Sequence, residues 1–595
     1  MVQEVQVDAK RAQKTAVLAE APNSGLEKKK VVSYGSIGAT TASSVAAAVP
    51  IVPVVCLCIL GVELCERLAF YTFVGTQEFF LEQLGYTLSE AGGINAAMGT
   101  LCMGWALFAG WVADVGLGRY LTILVFGILY AAGAIVAAMG AWPSRESSRT
   151  YLVGVMVLLP LGTAGIKANI SNFGADQYDT SDPAQKAAQE KFFSWFYLAI
   201  NMGSAVAYGY LTTMGSNGGL GVPRLYGYFA VYCIAAFCMV LAVLLFHSAR
   251  LRYRVVPTLP RSSLGCVSAH VMASAGKGSK AAMTFALGVI LLSAGIILSV
   301  MQAILPHASY TGYLTGSAFV CSAVGVAAII YTCSDATWVV DVPSEPLPAA
   351  DVRAFLQLLP VLFVANLAFS ALYNSMQFWY QQQACQMDVR VPFGESGAQF
   401  SGSFFMIADC LGIVLATPLA VDWLNPALES RLGAGFGLGA KFGLGMAFAA
   451  FSVLAAVHLE LQRRTSPVLD VLSHCAPDGV KMSGFSAGWM TVPFFLMGLG
   501  EIYTQPVLMH FAYTKSPASM RTLAAATGLF FTAVSTALFT VQEAFLVPYV
   551  PNDLNVGHLE YGYLSNLVVA GILYICYLHA LRNFESGTTT DMQPP

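Results

Sequence analysis

Charge is what this chain has least of. Asp, Glu, Lys and Arg make up 11% of its 595 residues, against about 25% in ordinary soluble domains. That shortage excludes a soluble globular protein, and a hydrophobic content of 56% points to an integral membrane protein. No basic domain is present and the formal net charge is -3, so no nucleic-acid partner is expected. The 13 cysteines include no Cys-x-x-Cys pair and no Cys/His cluster at zinc spacing, and most lie in apolar runs. Neither a metal site nor a disulfide framework is expected from them. No nucleophile–base pair or nucleotide loop stands out, and Gly433–Gly445 is too apolar to cradle phosphate, so no enzyme is expected. Ahead of the first apolar run there is no short apolar core with a small-residue cleavage site, which argues against a secretory signal peptide.

What is present in quantity is apolar sequence in pieces long enough to cross a bilayer, about 20 residues each. Six such segments run Ile51–Val74, Ser89–Val112, Tyr120–Ala141, Leu152–Phe173, Phe193–Thr213 and Tyr226–Phe246. A basic linker with Arg250, Arg252, Arg254, Arg261, Lys277 and Lys280 leads to two more, Ala281–Ile304 and Tyr313–Tyr331. The last six are Ala354–Tyr380, Phe400–Ala420, Phe442–His458, Trp489–Phe511, Leu523–Leu546 and Tyr561–Leu581. The expected organisation is a disordered cytosolic tail (1–48), a six-helix bundle (49–247), a linker with an extra transmembrane hairpin (248–350), a second six-helix bundle (351–585) and a short tail (586–595). The fold class is all-α and integral to the membrane, with about 14 spans.

Lysine and arginine in short loops set orientation. With both termini in the cytosol, the basic linker, Arg119 and Arg431 fall inside; Arg145, Arg149, Arg463 and Arg464 fall outside against the rule. The halves echo each other. Gly110, Asp114, Gly118 and Arg119 follow the second span, and Asp422 with Arg431 follows its counterpart. This repeat is similar to the plan of major-facilitator transporters, in which Gly110–Arg119 would be a conformational loop motif.

The informative residues are charges inside apolar segments, which cost several kcal/mol each unless paired or wetted and so mark function by default. Glu63, Glu66 and Arg67 stand at i, i+3 and i+4 in the first span, on one helix face. Lys167 lies among small residues in the fourth, and Glu501 is alone in the twelfth. Tyr373, Asn374, Gln377 and Gln381–Gln383 form a polar face in the ninth; Trp195, Tyr197 and Asn201 sit in the fifth. The amides serve equally as interhelical hydrogen-bond partners, Trp195 as packing, and Gln381–Gln383 as a helix end near the outer water. The charges are expected to form a cavity with Arg67 and Lys167 on one side and Glu501 opposite, suited to a short zwitterion, or to an anion at the positive end alone.

Glu63-Leu-Cys-Glu66-Arg67-Leu-Ala-Phe70-Tyr71 resembles the Glu-x-x-Glu-Arg-Phe-x-Tyr-Tyr motif of the proton-dependent oligopeptide transporter family, which includes plant nitrate and peptide transporters. Gly162–Asp179 is similar to the family's second signature and Phe192–Ser204 to its third; Leu499-Gly-Glu501 matches its late-span glutamate. The resemblance implies a proton-coupled symporter of di- and tripeptides, driven by the proton gradient without a cofactor. Glu63, Glu66, Arg67 and Lys167 would couple protons. Arg67, Tyr71, Lys167, Asn169, Asn201, Tyr373, Asn374 and Glu501 would line the substrate site, with Glu501 receiving a peptide's amino terminus. Phe70 replaces a frequent tyrosine, Asn374 a frequent acid, and Tyr373 stands where a histidine serves nitrate transport. Because Glu501 is retained, peptide is expected over nitrate or another anion, with a non-transporting nutrient sensor as the remaining reading. The expected unit is a monomer in the lipid bilayer of the plasma membrane, with a vacuolar or lysosomal membrane as the alternative.

Overall fold

The computed structural model describes residues 54–590 apart from 145–146, 180–181, 256–257, 259–261, 306–309, 392–396, 433–435 and 478. The tail expected over 1–48 lies outside the described residues. In hydrocarbon every backbone N–H and C=O must be bonded within its own segment, so long apolar runs fold as helices. The amino-terminal half comprises α1 (Val54–Gln83), α2 (Leu88–Gly116), α3 (Gly118–Gly140), α4 (Ser148–Ala175), α5 (183–217) and α6 (Arg224–Ser248). A short helix α7 (Ser263–Gly276) leads to the hairpin α8 (Lys280–Ile304) and α9 (Thr311–Cys333). The carboxy-terminal half comprises α10 (Ala349–Cys385), α11 (402–432), α12 (Leu438–Thr465), α13 (Thr491–Lys515), α14 (Arg521–Leu546) and α15 (Leu559–Thr590).

Ten of these helices are long and apolar enough to cross a membrane on those grounds alone. The four long ones that fall short are α1, α5, α11 and α13, and between them these carry the charged side chains of the site described below, apart from Lys167 on α4. Together the long helices make two six-helix bundles with a two-helix hairpin between them. The hairpin packs on α2 and α14. One apolar core is centred on Phe73, Phe80, Tyr130 and Tyr232 in the first half, another on Phe363, Trp379, Phe494 and Phe531 in the second.

Helix ends differ from the apolar runs where polar side chains find partners. The first apolar run stops near Val74, yet α1 continues to Gln83 because Thr76, Gln77 and Glu78 are buried and hydrogen-bonded. Likewise α10 continues past Tyr380, through a wider π-helical turn at Ser375–Tyr380, to Cys385. Gln381, Gln382 and Gln383 are therefore fully buried rather than at the water. Gln383 donates to the Ala456 carbonyl (3.2 Å) and accepts from Tyr563 (2.8 Å).

Two features depart from the sequence expectations. A small antiparallel hairpin, β1 (Val468–Leu472) with β2 (Lys481–Ser483), joins α12 to α13. Its loop carries Cys475, which forms a disulfide with Cys385 at the end of α10. The expectation of no disulfide is thus corrected; these two cysteines sit in polar surroundings, Gln-Ala-Cys-Gln and Ser-His-Cys-Ala-Pro, unlike those inside apolar runs. Arg463 and Arg464, which the expected orientation sets against the loop-charge rule, are tied down internally. Arg463 bonds Glu460 (2.7 Å), Asn555 Oδ1 and the Leu554 carbonyl, and Arg464 pairs with Glu560.

The first and third family-like motifs meet because α5 presents Gly203 to α1. A Cβ on Gly203 would sit 2.8 Å from the Leu64 carbonyl oxygen and 2.9 Å from Arg67 Cβ. Gly203→Val is expected to lower stability by about 1–3 kcal/mol through overpacking, read as a lower unfolding temperature in detergent. Gly110→Ala, whose added Cβ meets open space, is expected to leave that temperature unchanged.

Candidate functional site

The 3.6-residue period of α1 puts Glu63, Glu66 and Arg67 on one buried face. Arg67 Nε lies 3.1 Å from Glu63 Oε1, and a terminal guanidinium nitrogen pairs with Glu66. All three are at most 5% exposed. Lys167 does not join them as an ion pair among the described residues. Its Nζ instead lies 3.8 Å from the centroid of Phe70, and Arg67 also faces that ring at 5.2 Å. The position where a family-like tyrosine is missing thus offers a bare aromatic face to two cations, a cation–π contact strengthened by exclusion of water.

Beyond this cluster lies a small cavity between the two halves. The first half lines it with Tyr71, Tyr197, Asn201 and Tyr208, and the second with Tyr373, Asp409 and Glu501. Asp409, on α11, is brought beside α13 by Gly498, where an added Cβ would lie 3.0 Å from the Asp409 carboxylate. Glu501 follows one turn later on the same helix. Asp409 Oδ1 and Glu501 Oε2 are buried with no hydrogen-bond partner. No basic side chain is among the lining residues. Two buried carboxylates without a cation share a proton or await a cationic group.

Of the expected substrate residues, Tyr71, Asn201, Tyr373 and Glu501 line this cavity together. The expected positive wall does not: Arg67 and Lys167 stand behind the Phe70–Tyr71 pair, with the Tyr71 ring 6.0 Å from the Arg67 guanidinium carbon. Asn169 and Asn374 are drawn into helix packing. Asn169 Nδ2 donates to the Gly165 carbonyl of its own helix (2.9 Å), and Asn374 Nδ2 to the Ser535 carbonyl on α14 (3.4 Å). Asp409 is the residue that sequence reasoning missed, and its signal was present: a lone acid within the apolar run Phe400–Ala420.

The loop motif sits elsewhere. Gly118 has φ +76°, the turn from α2 into α3, and Arg119 pairs with Asp176 at the end of the second signature rather than with Asp114. The neighbouring Gln177 exchanges hydrogen bonds with the backbone of Arg254 in the linker (2.9 and 3.1 Å). This end of the signature fastens the α2–α3 turn and the linker; its middle holds Lys167.

Among known proteins, the chain is 26% identical over 566 residues to Protein NRT1/PTR FAMILY 8.1 of Arabidopsis thaliana, covering 89% of this chain and 93% of that one. It superimposes on an auto-inhibited POT family peptide transporter with a TM-score of 0.68, at 21% identity, over 89% of this chain and 96% of the other. The POT family transporter PepTSo gives the same TM-score and identity over 90% of this chain and 99% of its own. The sequence model of the POT family matches residues 120–553. On that match, which spans well over half of the sequence, the chain belongs to the POT family of membrane transporters.

Proposed function

We propose that this transporter carries di- and tripeptides together with protons, by alternating access between its two halves. The observation that carries this reading is the pair Asp409 and Glu501, buried and unpaired on one wall of the central cavity. A peptide's ammonium group supplies the cation that wall lacks. Tyr71 links the cavity to the Arg67–Lys167 cluster, whose field favours the substrate's carboxylate at that end.

Coupling is assigned to Glu63 and Glu66, held by Arg67 with Lys167 nearby. In a low dielectric, protonating one of these acids frees Arg67 from it and changes the balance that locks the cluster. Nitrate is the weaker reading: an anion needs a basic cavity face, and this one is acidic, with Tyr373 where a histidine would serve.

The termini are assigned to the cytosol, so that the end where α1 finishes faces outward. The disulfide Cys385–Cys475 lies at that end, and disulfides persist in oxidising compartments. The plasma membrane is the proposed location.

In proteoliposomes with an imposed acid-outside gradient, labelled dipeptide uptake is expected to rise as outside pH falls and to ignore excess nitrate. Removing one partner of a buried charge pair costs about 2–5 kcal/mol. Glu501→Gln is therefore expected to cut the initial rate by roughly 30-fold or more, and Asp409→Asn to weaken it as well. Nitrate uptake that survives Glu501→Gln, with no competition from dipeptide, would establish the anion reading instead. Orientation is checked in intact cells: an impermeant maleimide should label a cysteine introduced at Val556, which is exposed at the end where α1 finishes. Labelling only after permeabilisation reverses the assignment.

A further inference from the structure

At the end where α1 finishes, the halves meet around a second set of acids that the coupling cluster does not include. Glu78 is fully buried on α1. Its Oε2 accepts from Gln381 Nε2 (2.7 Å) on α10 and from Asn95 Nδ2 (3.5 Å) on α2, and its Oε1 accepts from Gln382 Nε2. Glu543, 2% exposed on α14, accepts from Trp379 Nε1. Both carboxyls converge on Gly92 of α2: the point a Cβ there would occupy is 3.7 Å from Glu78 Oε1 and 3.8 Å from Glu543 Cδ. One turn along α1, Glu82 is 4% exposed and neither of its oxygens has a partner.

Among the described ion pairs, none involves Glu78, Glu82 or Glu543. The other ionisable groups at this end are, in the first half, Tyr151, Tyr228 and Tyr232 on α4 and α6, Arg224 at the start of α6 and Glu90 at the start of α2. In the second half they are His474 in the β1–β2 loop, Tyr380 on α10, Tyr563 on α15, which lies in the field of Glu543 and of the Arg463–Glu460 pair on α12, and the mutually paired Arg464, His558 and Glu560. Tyr228 lies in the field of both Glu82 and Arg224. Glu90 accepts from the Thr87 N–H as a helix cap (2.9 Å). His474 bonds Asn217 Oδ1 (2.7 Å), and burial with the Arg224 charge pushes its imidazole below the usual histidine range. The acids are left to one another.

Two acids this close in a water-poor pocket cannot both ionise. Glu78 has amide donors on both oxygens, the arrangement that suits the charged form, while Glu543 has one donor and is the natural holder of a proton. A further atom asks for that proton. Gln382 Oε1, buried beside Glu78, has no donor, and a carboxylic O–H supplies one. We propose that Glu78 and Glu543 form a second proton-binding site, whose proton holds this end of the transporter shut. When the halves part, Glu78 leaves Gln381 and Gln382, water enters, and the proton passes from the carboxyl to that water. Reclosing takes it back. The inference rests on membership of a transporter family and not on the identity of the substrate.

The test needs no substrate, so its failure is separable from that of the peptide reading. Nitroxides carried on unnatural amino acids at Gln83 and Val556, both exposed at this end, report its closure by double electron–electron resonance. In the wild type in nanodiscs, the closed population is expected to rise several-fold between about pH 8 and about pH 5, the direction required when the closed form binds more protons. Glu543→Gln and Glu78→Gln are expected to abolish that response, while His474→Asn keeps it. A wild type indifferent to pH overturns the proposal, as does a wild-type response in both glutamine variants, or one lost in His474→Asn alone. If one glutamine variant fails to fold, the other and the wild type decide.

Discussion

An ionised carboxylate inside a bilayer-spanning protein is tolerable only with a partner, and that constraint organises this molecule. It holds acids at three levels, and each level meets the constraint differently. Glu63 and Glu66 are matched by Arg67, with Lys167 parked on the Phe70 ring close by. Asp409 and Glu501 face a cavity with no basic lining. Glu78 and Glu543 are met by amides and an indole instead of cations. The first set is balanced internally, and its state changes only when a proton or another charge disturbs the balance. The second is unbalanced and open, which makes it a place for something cationic from outside. The third is unbalanced and closed, and only a proton is small enough to complete it. The same residue type thus takes three roles, set by what stands around it.

Much of this was legible in the sequence because hydrocarbon is an unforgiving solvent. Apolar length marks spans, and a charge within a span marks a site, so the fold and the Glu63–Arg67, Lys167 and Glu501 positions could be read directly. What could not be read was pairing. Spacing along α1 says that Glu63 and Arg67 share a face, but nothing in it says that Lys167 would find an aromatic ring before a carboxylate. The positive cavity wall was misplaced for that reason. Asn169 and Asn374 do not line the cavity, and an amide that bonds a backbone carbonyl looks identical, in sequence, to one awaiting a ligand. Glu78, Glu82 and Glu543 were missed because each lies beyond or near the end of an apolar run, where charges normally meet water. Their burial depends on α1 and α10 outrunning their apolar stretches, a consequence of packing between halves.

The way the halves are joined decides how freely they can part. Every described ion pair lies within one half: Arg67 with its glutamates and Arg119 with Asp176 in the first, Arg463 with Glu460 and Arg464 with Glu560 in the second. The disulfide Cys385–Cys475 also stays within the second half, so it stiffens the loops at that end without tying the bundles together. What crosses is apolar packing, chiefly of α2 on α14, with hydrogen bonds that include Ser403 Oγ to the Gly75 carbonyl (2.7 Å), Asn217 Nδ2 to the Gln399 carbonyl (2.6 Å), the Leu88 N–H to Asn552 Oδ1 (2.9 Å), and the amides on Glu78. Each neutral bond contributes about 0.5–1.5 kcal/mol net, and one to a charged group about 1.5–3 kcal/mol. Water replaces most of them on opening. With no salt bridge across the gap among the described residues, a bound proton or small substrate shifts the balance between closed and open forms by its differential affinity for the two. Carboxylate–amide contacts leave the decision to protonation, because neutralising Glu78 or Glu543 changes the strength of these bonds without removing a single contact atom.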